Sequence, residues 1–400
     1  MRILLIAAHF PPEISGGAAR PFSLYKYLPQ NGIDVTVVAK RLNKETVNSN
    51  NILRFDSIID WRSNPLFSKK RVQRYYSFIG YKFFHVYTDK YWIRTSMKGI
   101  HEFLKTNKID IVYASYPSYE ALKIGLLIKK KYKLPLVAEF RDGMVFEHNL
   151  KSNNKIQDQF LKQLEIETVM KADAIITIGE RLSEYFRKTY NKEVFTVFNG
   201  FDPDEFKNLP EHPKNIAKTK IVHFGSLNAS RVTKREGLFY AIQKLKMSGR
   251  INSLNFELVF IGNFIESEKE IINRLDISDL VTFLPTMDKH SGYVKIISEF
   301  NYLLFYGAEG DTSVISTKLP EYLNLGLPIL GICKGNEGAD IIERTGTGEV
   351  SDFDVDSIYK LLEKALTNEI HFSPVKEIVD SFSRINQASD ISKIVKSIIR

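Results

Sequence analysis

A single cysteine, Cys333, among 400 residues leaves no partner for an intramolecular disulfide and no thiolate cluster for zinc. That scarcity suits a reducing compartment, and Cys333 reads as a small buried apolar residue. No apolar run reaches the roughly 18 residues that a membrane-spanning helix needs, so any membrane contact would be peripheral. The dinucleotide fingerprint G-x-G-x-x-G is missing, and there is no short-period repeat or low-complexity tract. The opening MRILLIAAHF is not followed by a small-residue cleavage site before EISGGAAR, and it reads as a first strand rather than a signal peptide.

What is present is an alternation of strand and helix signals. Ile3–Ala8, Val35–Ala39, Ile109–Ser115, Leu136–Phe140, Ala174–Ile178 and Val194–Phe198 read as strands with helical stretches between them, the mark of βαβ units and a parallel sheet. A second series follows: IVHFGS, LNFELVFIG, LVTFLP, YLLFYG and LPILGI. Between the two lies NGFDPDEFKNLPEHPK, rich in Asn, Asp, Pro and Gly, which reads as a linker. Four hundred residues exceed one ordinary core, so two α/β domains with doubly wound parallel sheets are expected. Their expected limits are 1–203 and 219–375, with 204–218 as linker and 376–400 as C-terminal helices packing back toward the first domain.

The net charge of +9 is unevenly spread. Residues 61–105 hold ten Lys or Arg against Asp89 and Glu102, among twelve Trp, Tyr and Phe side chains that include Trp61, Tyr75, Tyr76 and Trp92. A basic aromatic stretch of this kind suits an anionic membrane surface, with Lys69, Lys70, Arg71 and Arg74 as the contact residues. Single-stranded nucleic acid is the rival partner and ranks last, because the charge is confined to one segment. A third account makes the aromatics buried helix faces and the lysines a solvated face.

The stretch STKLPEYLNLGLPILGI has the punctuation of a very short helix. Proline is tolerated only in a first turn, so Pro320 places the start between Ser316 and Leu319. Gly326 supplies a residue able to take positive φ just past the end. The apolar run Leu327–Ile332 then suits a strand buried on both faces. Lys318 and Glu321 sit in the opening turns, where a helix N-terminus offers free N–H groups to a phosphate. The alternative is an ordinary first-turn carboxylate favoured by the helix dipole, beside a solvated lysine. Near the N-terminus, Gly16 and Gly17 between the first strand and the first helix would let backbone N–H groups approach an anion, or form a mere turn.

Taken in order, ILLIAAHFPPEISGGAARPFSLYKYLPQNGIDVTVVA, AEFRDGM, KADAIITIGE, VFNGFDPDEF, IVHFGSL with SRVTKREGL, and STKLPEYLNLGLPILGI resemble the retaining glycosyltransferase family 4 of bacterial surface-polysaccharide type. The resemblance covers nearly the whole chain. It implies the GT-B fold, two Rossmann-like domains facing a cleft, the first for the acceptor and the second for a nucleotide diphosphate sugar. It further implies transfer of a hexosyl or N-acetylhexosaminyl group to a saccharide acceptor, lipid-linked in view of the basic segment, at the cytoplasmic face of the membrane. No metal or other cofactor is implied. Domain closure would exclude water and align the acceptor hydroxyl.

By position, Glu321 matches the glutamate that holds donor ribose hydroxyls, with Lys318 and Leu319 beside it. Arg235 matches the phosphate-binding cation, with Arg231 and Lys234 as near alternatives. Ser226, Gly16 and Gly17 complete the donor set. The sequence departs from the family pattern in two places: Ser313 stands where the first glutamate of E-x7-E belongs, with Glu309 or Asp311 as substitutes, and Tyr116 and Pro117 stand where many members carry histidine. Glu139, Arg141 and Asp142, at the end of a strand, are the catalytic candidates on the acceptor side. The rival for Arg141 and Asp142 is a structural ion pair. A nucleotide-sugar epimerase or hydrolase, or a non-catalytic nucleotide-sugar or membrane-binding module, are the competing functions.

Overall fold

The structure, a computed structural model of the chain, describes residues 1–13, 15–41, 51–57, 90–146, 155–213, 216–225, 236–263, 266–307 and 316–399. They fall into two compact units, one of Met1–Phe198 with Arg384–Arg400 and one of Asn199–Ser383.

In the first unit β1 (Arg2–Ile6), β2 (Asp34–Lys40), β3 (Ile52–Phe55), β4 (Ile111–Tyr116), β5 (Leu136–Phe140), β6 (Ala174–Thr177) and β7 (Phe195–Thr196) form one parallel sheet in the order β3-β2-β1-β4-β5-β6-β7. Alternate residues serve opposite faces, as the pleat requires. Leu4 and Ile6 of β1 join Val112, Ala114, Leu136 and Ala138 on one side, while Ile3 and Leu5 join Ile111, Tyr113 and Val137 on the other. With both faces covered, the central strands carry uninterrupted apolar sequence. Helices α1 (Gly16–Tyr27), α2 (Lys90–Thr106), α3 (Tyr119–Tyr132), α4 (Lys155–Lys171) and α5 (Glu180–Tyr190) connect them. Ser15 caps α1 and Ser118 caps α3, each accepting from the N–H three residues on.

In the second unit β8 (Thr219–Phe224), β9 (Phe256–Ile261), β10 (Val281–Leu284), β11 (Tyr302–Tyr306), β12 (Ile329–Ile332) and β13 (Gly348–Ser351) are ordered β10-β9-β8-β11-β12-β13, again all parallel. The helices are α6 (Glu236–Met247), α7 (Glu266–Arg274), α8 (Lys289–Glu299), α9 (Lys318–Leu325), α10 (Glu337–Thr345), α11 (Val355–Leu366) and α12 (Lys376–Ser381). Each unit therefore repeats the doubly wound order, with its reversal between β1 and β4 or between β8 and β11. The last helix, α13 (Arg384–Ile399), belongs to the first unit. Its Ala388, Ile391, Ile394 and Val395 are buried with Leu24 and Tyr27 of α1, and the Lys396 ammonium donates to the Asn31 carbonyl at 2.8 Å.

The helix expected around Pro320 is α9, eight residues long, with Pro320 third and Gly326 closing it at φ 73°. The domain limit expected at residue 203 moves to Phe198. Phe201 bridges to Ser383, and Phe206, on a 3-10 turn at Pro203–Phe206, stacks on Tyr293 of α8 with ring centroids 4.8 Å apart. Residues 199–206 are thus packed parts of the second unit rather than linker. Among the described residues no helix is long and apolar enough to cross a membrane.

Candidate functional site

Ligands of doubly wound sheets lie beyond the carboxyl ends of the strands where the order reverses. In the second unit both strands flanking the reversal end on glycine, and both glycines are bare because something occupies the space a Cβ would need. At Gly225, after β8, a Cβ would collide with the Cε and Nζ of Lys318, and the backbone stands at φ 120°. At Gly307, after β11, it would collide with the side-chain amide of Asn336, which caps α10 by accepting from Gly338 N at 2.9 Å. The Lys318 ammonium therefore lies across naked backbone at the reversal point. Beneath it, His223 is buried, its Nδ1 2.9 Å from the Leu304 carbonyl. A carbonyl only accepts, so Nδ1 carries the proton, and Nε2, 3.5 Å from Lys318 Nζ, presents a lone pair to the ammonium. The phenol of Tyr322 takes the Phe224 N–H at 2.7 Å and so clamps α9 to the end of β8.

Glu321 is buried in the first turn of α9, its Oε1 2.6 Å from Lys289 Nζ. That ammonium also lies 2.9 Å from Glu205 Oε2 on the Pro203–Phe206 turn. Burial works against the Lys289 charge, but the two carboxylates outweigh it and hold the ammonium above its usual range. Lys289 and Glu205 were not foreseen from sequence. One signal was available: Lys289 is the first residue of α8, where the helix dipole disfavours a cation. The expected cradle of free N–H groups on α9 is not there. Lys318 N donates to Ser316 Oγ at 3.3 Å, Leu319 N to the Ser316 carbonyl at 3.2 Å, and Pro320 has no N–H. The tightened entry uses up the donors, and Leu319 is buried.

In the first unit the reversal lies beside α1. Gly16 and Gly17 are its first two residues, at ordinary helical φ. A Cβ on Gly16 would meet nothing, and one on Gly17 would touch only the His9 ring at 3.4 Å. Among the described residues neither packing nor backbone demands glycine there. Arg141 ties this turn to the next loop, donating from Nη1 to the Gly17 carbonyl at 2.9 Å and from Nε to the Tyr116 carbonyl at 2.8 Å.

Glu139 is placed differently from expectation. It is wholly buried, with Oε1 accepting from Arg20 Nε at 2.7 Å and Tyr113 OH at 2.6 Å, and Oε2 accepting from Ser115 Oγ at 2.6 Å. Burial alone would raise its pKa, but Arg20, Arg141 and the hydroxyls outweigh it and hold the carboxyl below the usual range. The ion is saturated and faces no solvent. Arg20 also donates from Nη2 to the Val197 carbonyl and from Nη1 to the Phe198 carbonyl, at 2.9 and 2.7 Å. Glu139 thus positions Arg20 and the end of β7. Asp142 is half-buried beyond the end of β5.

Ser226, Arg231, Lys234, Arg235, Glu309, Asp311, Ser313, Lys69, Lys70, Arg71 and Arg74 lie outside the described residues.

Residues 14–205 match Glycosyltransferase Family 4. No curated protein matches the sequence significantly. Among solved structures the chain is similar to a sucrose-phosphate synthase from Thermosynechococcus elongatus, at 13% identity over 99% of this chain and 98% of that one, TM-score 0.67. It is also similar to Anabaena HepE in complex with UDP, at 12% identity over 99% and 100%, TM-score 0.65. A putative UDP-N-acetylglucosamine 2-epimerase from Listeria monocytogenes matches at 14% identity over 99% and 96%, TM-score 0.58. At these identities the likeness is one of fold, and the fold is GT-B.

Proposed function

We propose that this protein is a retaining glycosyltransferase that moves a sugar from a nucleotide diphosphate sugar to a lipid-linked saccharide acceptor, in surface-polysaccharide assembly at the cytoplasmic face of a membrane. The observation that carries the reading is the pairing of Lys318, laid over bare Gly225, with Glu321 three residues on in the same short helix. As the anomeric C–O bond breaks, negative charge grows on the departing diphosphate. A cation already fixed at the strand end stabilises that charge without rearranging. Glu321, oriented by Lys289, accepts hydrogen bonds from ribose hydroxyls. Arg235, or Arg231 or Lys234, adds the second cation, as the family resemblance implies. On the other unit the bare first turn of α1 admits an anionic group, Arg141 and Glu139 hold that turn and its surroundings in place, and Asp142, at the end of β5, is the carboxylate assigned to the acceptor. The cations are all side chains, so the reading asks for no metal. The Family 4 match over residues 14–205 and the UDP held by the Anabaena structure support a nucleotide-linked donor.

The second reading is a nucleotide-sugar epimerase or hydrolase, favoured by the likeness to the Listeria protein. The two separate in a thermal-shift screen with UDP, GDP, CMP, NAD and their sugar conjugates, followed by product analysis without acceptor. The expected outcome is a raised melting temperature with one nucleoside diphosphate, lost in Glu321→Ala, and only slow release of sugar. Rapid epimerisation or hydrolysis moves the assignment to the second reading, and silence toward every nucleotide overturns both.

A further inference from the structure

The outer face of α3 and α4 carries a feature that the sugar-transfer reading does not use. A groove of about 690 Å³ runs between the two helices, lined by Lys123, Lys129, Lys130, Lys133 and Lys171, with Leu126, Leu127 and Met170 among them. This lies within the roughly 300–1,000 Å³ of ordinary ligand clefts. Leu127 is 41% exposed and Met170 53%, and Ile166, one turn before Met170 on α4, is 38% exposed. Leu127 and Met170 thus stand partly in water among the groove's lysines, with Ile166 one turn away on α4.

The charge is only partly answered by the protein. Glu167 serves both Lys123, at 2.7 Å, and Lys171, at 2.9 Å, and Asp173 pairs with Lys129. Lys130 and Lys133 are exposed and have no acidic partner among the described residues. Cations in the last turn of α3 favour its dipole, which accounts for Lys129, Lys130 and Lys131. It does not account for exposed Leu127, Ile166 and Met170, which cost free energy in water.

We infer that this groove is a docking face for an anionic phospholipid bilayer, with Lys130 and Lys133 on headgroup phosphates and Leu127, Ile166 and Met170 entering the headgroup–acyl boundary. Charge complementarity selects the occupant: a lysine ring around an apolar floor matches an anionic surface with hydrocarbon beneath it, and long lysine stems let the ammonium groups reach outward while the floor sinks. No residue of 61–105 is among those that line the face, and the docking does not depend on the enzyme's reaction.

The test is co-sedimentation of the full chain with vesicles of phosphatidylcholine alone and of phosphatidylcholine mixed with phosphatidylglycerol. Retention is expected only on the anionic vesicles. At roughly fivefold per lysine near such a surface, Lys130→Gln with Lys133→Gln should cut the partition coefficient about 25-fold. Leu127→Ser with Met170→Ser should weaken it at unchanged charge. Both pairs should melt as the parent does and keep its response to the nucleotide donor. Retention that survives both pairs but is abolished by Gln at Lys69, Lys70, Arg71 and Arg74 overturns the assignment. So does a melting response to inorganic phosphate, lost with the lysine pair, without vesicle retention. Loss of the donor response in the parent, with vesicle retention intact, would sink the sugar-transfer reading and leave the docking face standing.

Discussion

Replacing Glu139 with Gln separates a structural carboxylate from a catalytic one. The substitution keeps shape and most hydrogen bonds: the amide oxygen still accepts from Arg20 and Tyr113, and the new NH2 group donates to Ser115 Oγ. Only the charge is lost, and the Arg20 guanidinium, 4% exposed, is left without its counter-ion. Removing one partner of a buried ion pair costs about 3–5 kcal/mol. In a domain of this size each kcal/mol moves the melting temperature by about 2–4 °C, so a fall of about 6–20 °C is expected. The sign with pH is defined as well. Because the folded carboxyl lies below its usual range, its stabilisation is present above the unfolded pKa of about 4.3 and is lost as pH falls through the folded value. Glu139→Gln should therefore flatten the acid limb of a melting-temperature profile while lowering its plateau. A variant that melts like the parent yet transfers no sugar would refute the argument and return Glu139 to the reaction.

Gly225→Ala should lower the melting temperature by about 2–12 °C, from about 1–3 kcal/mol of strain at φ 120°, and should weaken nucleotide binding by driving Lys318 off the strand end. Gly249→Ala is the control, at φ 71° with open space around it, and should show strain without any change in nucleotide affinity. Lys289→Ala removes the half-exposed partner of buried Glu321 and should cost about 1–3 kcal/mol of stability, and it should weaken donor binding about 10–100-fold by freeing Glu321, as titration calorimetry would read; equal affinity refutes the positioning role. Glu165 is buried, accepting from Tyr190 OH at 2.7 Å and Val145 N at 3.1 Å, and burial nonetheless pushes its carboxyl above the usual range. Its contribution is therefore fullest below the unfolded pKa and fades as pH rises through the folded value, so Glu165→Gln should remove that decline from the melting profile; an unchanged slope would contradict it.

The central strands were legible because burial on both faces forces continuous apolar runs, as in ILLI and ILGI. The edge strands β3 and β13 were not, since ILRF and GEVS hold polar residues. In β3 Arg54 is nevertheless buried, its guanidinium over the Phe10 ring and donating to the Lys40 carbonyl at 3.2 Å. The short helix at Pro320 was legible because Pro and Gly punctuate it locally. The ion pair that orients Glu321 was not, because Lys289 and Glu205 lie 84 residues apart and meet only once the second unit has folded. The surroundings of Glu139 were not legible for a related reason. An acid near a strand end looks like a ligand contact until Arg20, 119 positions away, is seen to close over it.

The return of α13 to the first unit sets an order of maturation. Ile391, Ile394 and Val395 each contribute about 1.5–3 kcal/mol by burial, together about 5–9 kcal/mol. That is comparable with the entire margin of a typical fold, about 5–15 kcal/mol. On the ribosome, residues 1–198 emerge first but lack the side chains that finish one face of their sheet. Asn199–Ser383 is wholly contiguous and needs none of those side chains. The half that is made first is thus completed last, and a cut anywhere before Arg384 leaves it with an open flank beside Leu24 and Tyr27.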